Sequence, residues 1–211
     1  MNDRLTKIYL TLYKMPRTPE QYEEIRNAKK KIILDAALKL FAEKGFASSS
    51  ISCIAEEANI SKGLMYNYFK CKNELLKTIV LSFMNEIGEM LDPNRDDILN
   101  EQEANQFFDK YFEMLMTRTE ETKLFTQLTV QPEVIQVISD SELMPDISKQ
   151  GKMMISFFAG IHKENTQMVL MNYAAIIKGI TVLYVFAPKK YPDEVMLQYR
   201  DYLKNMFINK I

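Results

Sequence analysis

Ser50-Ile51-Ser52-Cys53-Ile54-Ala55-Glu56-Glu57-Ala58-Asn59-Ile60-Ser61-Lys62-Gly63-Leu64-Met65-Tyr66-Asn67-Tyr68-Phe69 is the stretch on which the reading of this chain turns. Ile51, Ile54, Ala55 and Ala58 stand at the i, i+3, i+4 and i+7 positions of one helical face, and Ser48-Ser49-Ser50 ahead of them offer N-caps. Asn59 tolerates the left-handed conformation that ends a helix abruptly, Ile60 can tuck into a core, and Ser61 can cap a second helix beginning at Lys62. Met65 and Phe69, four apart, face the same core as Leu40, Phe41, Ile54 and Ala58. Lys62, Gly63, Tyr66 and Asn67 are left on the outer side. The spacing therefore predicts two short helices, the second over Lys62 to Phe69, separated by three or four residues: a helix-turn-helix.

Outward from this unit the chain reads as helix after helix. Thr18-Pro19-Glu20-Gln21 has the form of a capping box with proline at the first helical position, and Ile33, Ala36, Ala37, Leu40 and Phe41 carry the period on to about Lys44, where Gly45 supplies the stop. Another helix is predicted from Asn73 to about Leu91, ended by Asp92-Pro93-Asn94. Further helical patterns lie at about 101–117, 120–130, 132–139, 145–162, 166–187 and 192–209, broken by Pro132, Pro145, the stretch from His162 to Asn165, and Pro188 with Pro192. Seven prolines and six glycines in 211 residues fit the same picture. The expected fold is all-α: a three-helix N-terminal head over residues 18–77 and a larger helical body over 78–211. Residues 1–17, without a clear helical period, read as an arm, within which Met15 is an alternative start.

Charge separates the two regions. Between Arg26 and Lys77 ten bases face five acids, whereas beyond Lys77 thirteen bases face nineteen acids, although the whole chain carries a formal charge of only −1. A basic head on an acidic body suits a partner that is a polyanion. In a helix-turn-helix the second helix enters the major groove, where base edges are distinguishable, while flanking residues hold phosphates. Gly63 permits close backbone approach there, and Lys62 can donate to a purine edge or a phosphate. Ser52, facing outward from the preceding helix, can add a hydrogen bond to a base.

The run from Arg26 to Leu76, with Ile33-Leu34-Asp35-Ala36-Ala37, Leu40-Phe41-Ala42-Glu43-Lys44-Gly45-Phe46, Ile54-Ala55-Glu56-Glu57-Ala58-Asn59-Ile60-Ser61-Lys62-Gly63 and Tyr66-Asn67-Tyr68-Phe69, closely resembles the DNA-binding domain of TetR/AcrR-family transcriptional regulators. The resemblance covers about a quarter of the chain. It implies that Lys62, Gly63 and Tyr66 reach bases and that Ser50, Asn67, Tyr68 and Lys72 hold phosphates. Leu64 departs from the family pattern, standing where a small hydroxyl residue is common, as do Met65 for Leu, Tyr68 for His and Cys71 for Ser. Leu64 cannot hydrogen-bond a phosphate, so one anchoring contact is lost or replaced by contact with a thymine methyl, which alters the expected operator sequence.

The body is rich in Met and Phe. Met adapts to irregular cavities, and Met114, Leu115, Phe125, Met154, Phe158, Met171 and Tyr173 are the candidate lining of an apolar effector pocket, with core packing as the other reading of each. The last two predicted helices carry an apolar load heavy for surface helices, including Leu183, Val195, Leu197 and Tyr202. The family resemblance implies that they pair with a second copy in a four-helix interface, where Gly179 allows close approach, so that a twofold dimer meets a palindromic operator. The apolar stretch Ile176 to Ala187, interrupted by Lys178, is short of a membrane span.

Other chemistry finds little support in the residues. Cys53 and Cys71 have no second Cys or His pair at ligand spacing, so no metal or cofactor is expected, and neither a disulfide framework nor a secretion signal is apparent, which fits a reducing cytoplasm. His162, the single histidine, has no recognisable nucleophile beside it, and no phosphate-cradling glycine loop occurs. The expectation is a cytoplasmic, homodimeric, non-enzymatic regulator, repressing by default, released from double-stranded DNA by a small apolar or amphipathic effector. An activator of the same family, or a helical small-molecule-binding or scaffold protein whose helix-turn-helix no longer reads DNA, is the alternative.

Overall fold

A cap opens the first helix. The Thr18 hydroxyl accepts from the Gln21 amide at 3.3 Å, the Gln21 side chain accepts from the Thr18 amide at 3.1 Å, and Pro19 takes the first helical position. The computed structural model describes residues 18–140, 144–162 and 165–208; the expected arm over 1–17, with Met15, lies outside the described residues. Helix α1 (Pro19–Lys44) ends at Gly45, whose φ of 88° a side chain would disfavour. After it come α2 (Ile51–Glu57), capped by Ser50, and α3 (Lys62–Tyr66), capped by Ser61, with Asn59 between them at a φ of 52°. The rest of the chain forms α4 (Lys72–Leu91), α5 (Glu101–Thr117), α6 (Thr119–Thr129), α7 (Pro132–Ser139), α8 (Met144–Ile161), α9 (Thr166–Phe186), a single 3-10 turn at Pro188–Lys190, and α10 (Asp193–Phe207). All regular structure among the described residues is helical.

One expectation needs correction. The second helix of the helix-turn-helix stops at Tyr66 rather than Phe69. Asn67 donates to the Leu64 carbonyl and Tyr68 to that of Met65, three residues back, so the last turn tightens and closes the helix. This drops Phe69 into the core, where it is 2% exposed.

Two cores result. The head core joins Ile33, Ala37, Leu40, Phe41, Ile54, Met65, Phe69, Leu75 and Leu76, and it takes in Leu128 and Val134 from α6 and α7 of the body. The body core gathers Phe107, Phe108, Phe112, Leu115, Phe158, Tyr184, Met196, Leu203 and Phe207. Helix α4 belongs to both: Leu75, Leu76, Ile79 and Val80 face the head, while Phe83, Ile87, Met90 and Leu91 face the body. The expected division after residue 77 thus falls inside a continuous helix.

Between Leu128 and Val134, the Gln131 amide bridges back to the head. Its Nε2 donates to the Phe41 carbonyl at 2.7 Å and its Oε1 accepts from the Phe46 amide at 2.8 Å. Both head groups lie where α1 has just ended and lack a helical partner for that reason. A residue from the body therefore completes the C-terminus of the head's first helix.

Candidate nucleic-acid interface

The outer face of the head is built on sealed residues. Ile54 and Met65 are fully buried and seat α3 against α2. Lys62, Gly63, Leu64, Tyr66 and Asn67 consequently all point outward and are exposed. A Cβ added at Gly63 would meet nothing within 4 Å, so this position presents bare backbone to whatever docks there. Tyr66, about half exposed, is a large aromatic ring held outside the core at the end of α3.

The remaining candidates divide. Ser50 and Ser52 are exposed at the start of α2, on the same unit, but the Ser50 hydroxyl is engaged locally, accepting from the Cys53 amide and donating to Cys53 Sγ, both at 3.2 Å. Tyr68 is only partly exposed because its ring rests against the head core. Lys72 is held most firmly. Its ammonium donates to the carbonyls of Phe46 and Ala47 at 3.0 Å and of Ser49 at 3.4 Å, and it lies 4.6 Å from the Phe46 ring centroid. Three donors are all an ammonium has, so Lys72 clamps the loop between α1 and α2 and presents its charge rather than a spare proton. Its sequence neighbourhood alone does not reveal those carbonyls, which come from residues more than twenty positions earlier. Lys39 adds a second tie between α1 and α2, to Glu57 at 2.7 Å, and this contact holds the Glu57 carboxyl below its ordinary range.

The apolar candidates of the body do not all converge. Met114 and Leu115 are sealed in the body core, Phe125 stacks on Phe83 at 3.8 Å between ring centroids, and Met171 is 60% exposed. Met154, Phe158 and Tyr173 do meet, together with Phe107, Phe108 and Phe157, around a void of about 10 Å³. The sequence reading missed Gln131, whose contacts 85 and 90 residues away leave no local signal. Among the described residues no group of three or more His, Cys, Asp or Glu side chains is placed to hold a metal ion.

Helix α9 carries a feature not anticipated from its apolar stretch. Its 21 residues are long and apolar enough to cross a membrane by length and composition, because the helix begins well before Ile176. Tyr184, Val185 and Thr181 nevertheless pack inside the body, and the Thr181 hydroxyl shares a 2.6 Å hydrogen bond with Tyr111 of α5. Burial raises the Tyr111 phenol above its ordinary value, so it stays a neutral hydrogen-bonding partner.

Residues 33–79 match the family of bacterial regulatory proteins, tetR family. The chain is 28% identical over 139 residues to the fatty acid metabolism regulator protein of Bacillus subtilis, covering 64% of this chain and 66% of that one. It is 30% identical over 103 residues to the biofilm operon icaADBC negative transcriptional regulator IcaR of Staphylococcus epidermidis, covering 49% and 55% respectively. It spans less than two thirds of the length of the curated relatives it matches most strongly. Among solved structures, the transcriptional regulator FadR from Bacillus subtilis in complex with stearoyl-CoA superposes with a TM-score of 0.65 at 19% identity, over 86% of this chain and 98% of that one. The helix-turn-helix, with α3 seated on α2, and the match over the same residues agree: residues 33–79 form a DNA-binding head of the kind found in bacterial regulatory proteins of the tetR family, and the whole chain shares the fold of the FadR structure.

Proposed function

We propose that the protein is a ligand-responsive DNA-binding repressor that acts as a twofold dimer in the cytoplasm and carries no catalytic activity of its own. The observation that carries this reading is the five-residue helix α3, buried through Met65 and open through Lys62, Gly63, Tyr66 and Asn67. Such a helix seated on α2 can enter a major groove with its N-terminal residues foremost. Lys62, Gly63 and Tyr66 face the bases, with Leu64 against a thymine methyl and Ser52 adding a donor from α2. Ser50, Asn67, Tyr68 and the charge of Lys72 lie along the phosphates.

The dimer rests on α9 and α10. Leu183, Phe186, Val195 and Tyr202 are each about half exposed in the single chain, a load that a second copy would bury. Gly179 has open space in front of it, which suits the close approach of a partner helix. The reading requires that pairing of these helices set two copies of α3 about one duplex turn apart. The relatives named above include a negative regulator and a regulator of fatty acid metabolism, which supports repression governed by an apolar or amphipathic effector.

Titrating salt against binding to the DNA upstream of its own gene tests the reading. The expected result is a steep fall of affinity with salt, together with a sequence-specific component that survives competitor DNA. Weak binding with no sequence preference at any salt concentration would overturn it.

A further inference from the structure

The Phe-rich void at the centre of the body, at about 10 Å³, is barely enough for one water molecule. A much larger space lies at the joint between head and body, a cleft of about 680 Å³ between α1, α4 and α6. That volume is in the range of small-molecule sites. Its floor is apolar: Leu34 and Leu38 from α1, Ile79 and Phe83 from α4, and Phe125 from α6, with Phe83 and Phe125 stacked nearly parallel.

The mouth of the cleft is charged, and its charges are unequally available. Arg118 directs all three of its guanidinium nitrogens at Glu86 of α4 and Glu121 of α6, which raises its own pKa and lowers that of Glu121. Both carboxylates are thereby engaged by hydrogen bonds, and Lys31 adds its charge near Glu121. Asp35, further along α1, is disfavoured as an anion: burial raises its pKa and Glu121 pushes it further up, with only Lys31 pulling it down. On the α1 side Asn27, Lys30 and Lys31 stand within little more than one turn. Among the described residues the Lys30 ammonium has no ion-pair partner and stands over the Phe69 ring, 5.9 Å from its centroid.

We propose that this cleft is the effector site and that it takes an amphipathic acid, with an apolar chain laid over Leu34, Leu38 and the Phe83–Phe125 pair and an anionic head group held by Asn27, Lys30 and Lys31. The assignment of an effector role rests on the regulator reading above. Its location gives the ligand leverage. α1 opens the head, and α6 leads directly to Gln131, so a molecule wedged between them works against the two hydrogen bonds that hold Phe41 and Phe46 to the body. The head moves by as much as the ligand prefers the widened cleft to the closed one.

Three probes with one tail separate head-group charge from simple greasiness: dodecanoate, dodecanol and dodecyltrimethylammonium, each titrated calorimetrically into the full chain below its micelle concentration. Dodecanoate is expected to bind about tenfold or more tighter than the other two, and the double variant Lys30→Gln/Lys31→Gln to lose that preference. Ser82→Trp, which fills the cleft from its exposed rim, should abolish binding, while Phe158→Leu in the body core should leave it unchanged. Circular dichroism melts show that each variant is folded. The proposal is overturned if the cation or the alcohol binds as well as the acid, or if folded Ser82→Trp binds dodecanoate normally. Operator binding by the ligand-free chain is read separately. A chain that binds DNA but no dodecanoate removes this site alone, and one that binds dodecanoate in the cleft but no DNA supports the site while removing the regulator reading.

Discussion

The reading head and the last two helices of the body solve opposite problems. In the head every large apolar side chain except Leu64 and Tyr66 on α2 and α3 is turned inward, and what faces out is mostly polar or bare backbone. The head is thus complete within one chain, and its exposed face is free to meet something wet and charged. On α9 and α10 the buried side is equally well made, through Tyr184, Met196, Leu203 and Phe207, but the outer side still carries Leu183, Phe186, Val195 and Tyr202. That surface leaves apolar side chains open in the single chain. On the proposed function, the first face serves a polyanion and the second a copy of the chain: a sealed core lies beneath both, and the outward residues set them apart.

Experiments can sharpen or break this contrast, beginning with its largest consequence. Removing a ring from the sealed head should cost most. Phe41→Ala is expected to destabilise the chain by about 3–5 kcal/mol, read as a fall in thermal or denaturant midpoint, because Phe41 has no exposed surface and sits at the centre of its cluster. A charge on the other face, Phe186→Glu, should leave the melt nearly unchanged but weaken self-association by about 2 kcal/mol or more, measured by analytical ultracentrifugation. If Phe186→Glu destabilised the monomer as much as Phe41→Ala, the two faces would not differ as described.

Lys62→Ala or Tyr66→Ala should reduce operator affinity by about 1–3 kcal/mol, with unfolding unaffected, in a binding isotherm at fixed salt. Gln131→Ala removes both bonds between body and head and is expected to lower stability by about 1–2 kcal/mol. Faster amide exchange at Phe46 is the specific readout, since a general loss of packing would not single out that proton.

The smallest effect concerns pH. Glu121 has its pKa lowered by the hydrogen bonds from Arg118, so its contribution is present above the ordinary glutamate value of 4.5 and is lost as pH falls through the lower folded value. The link between α4 and α6 should therefore loosen only in acid, and Arg118→Met should remove this acid-side dependence from a stability profile. Both partners are partly exposed, so the change is modest.

Local pattern made most of the architecture legible. The capping box at Thr18, the stop at Gly45, the left-handed Asn59, the Ser50 and Ser61 caps and the proline breaks downstream all act over three or four residues, and each stands where the pattern places it. The outward set on α3 was readable for the same reason, since burial of Met65 and Phe69 four apart dictates what remains outside. What sequence could not supply is anything that depends on distant chain segments meeting. The ammonium of Lys72 is anchored by carbonyls of residues 46, 47 and 49, and the head is latched by an amide 85 and 90 residues away.

The same division holds for the cavities. Met and Phe at helical spacing announce an apolar interior, and on its own that composition determined that the body would have a large core. Whether such residues close on one another or leave room depends on helix axes crossing at particular angles, which no periodicity encodes. Tertiary packing sealed the body's centre and left the space at the joint, where α1, α4 and α6 come together.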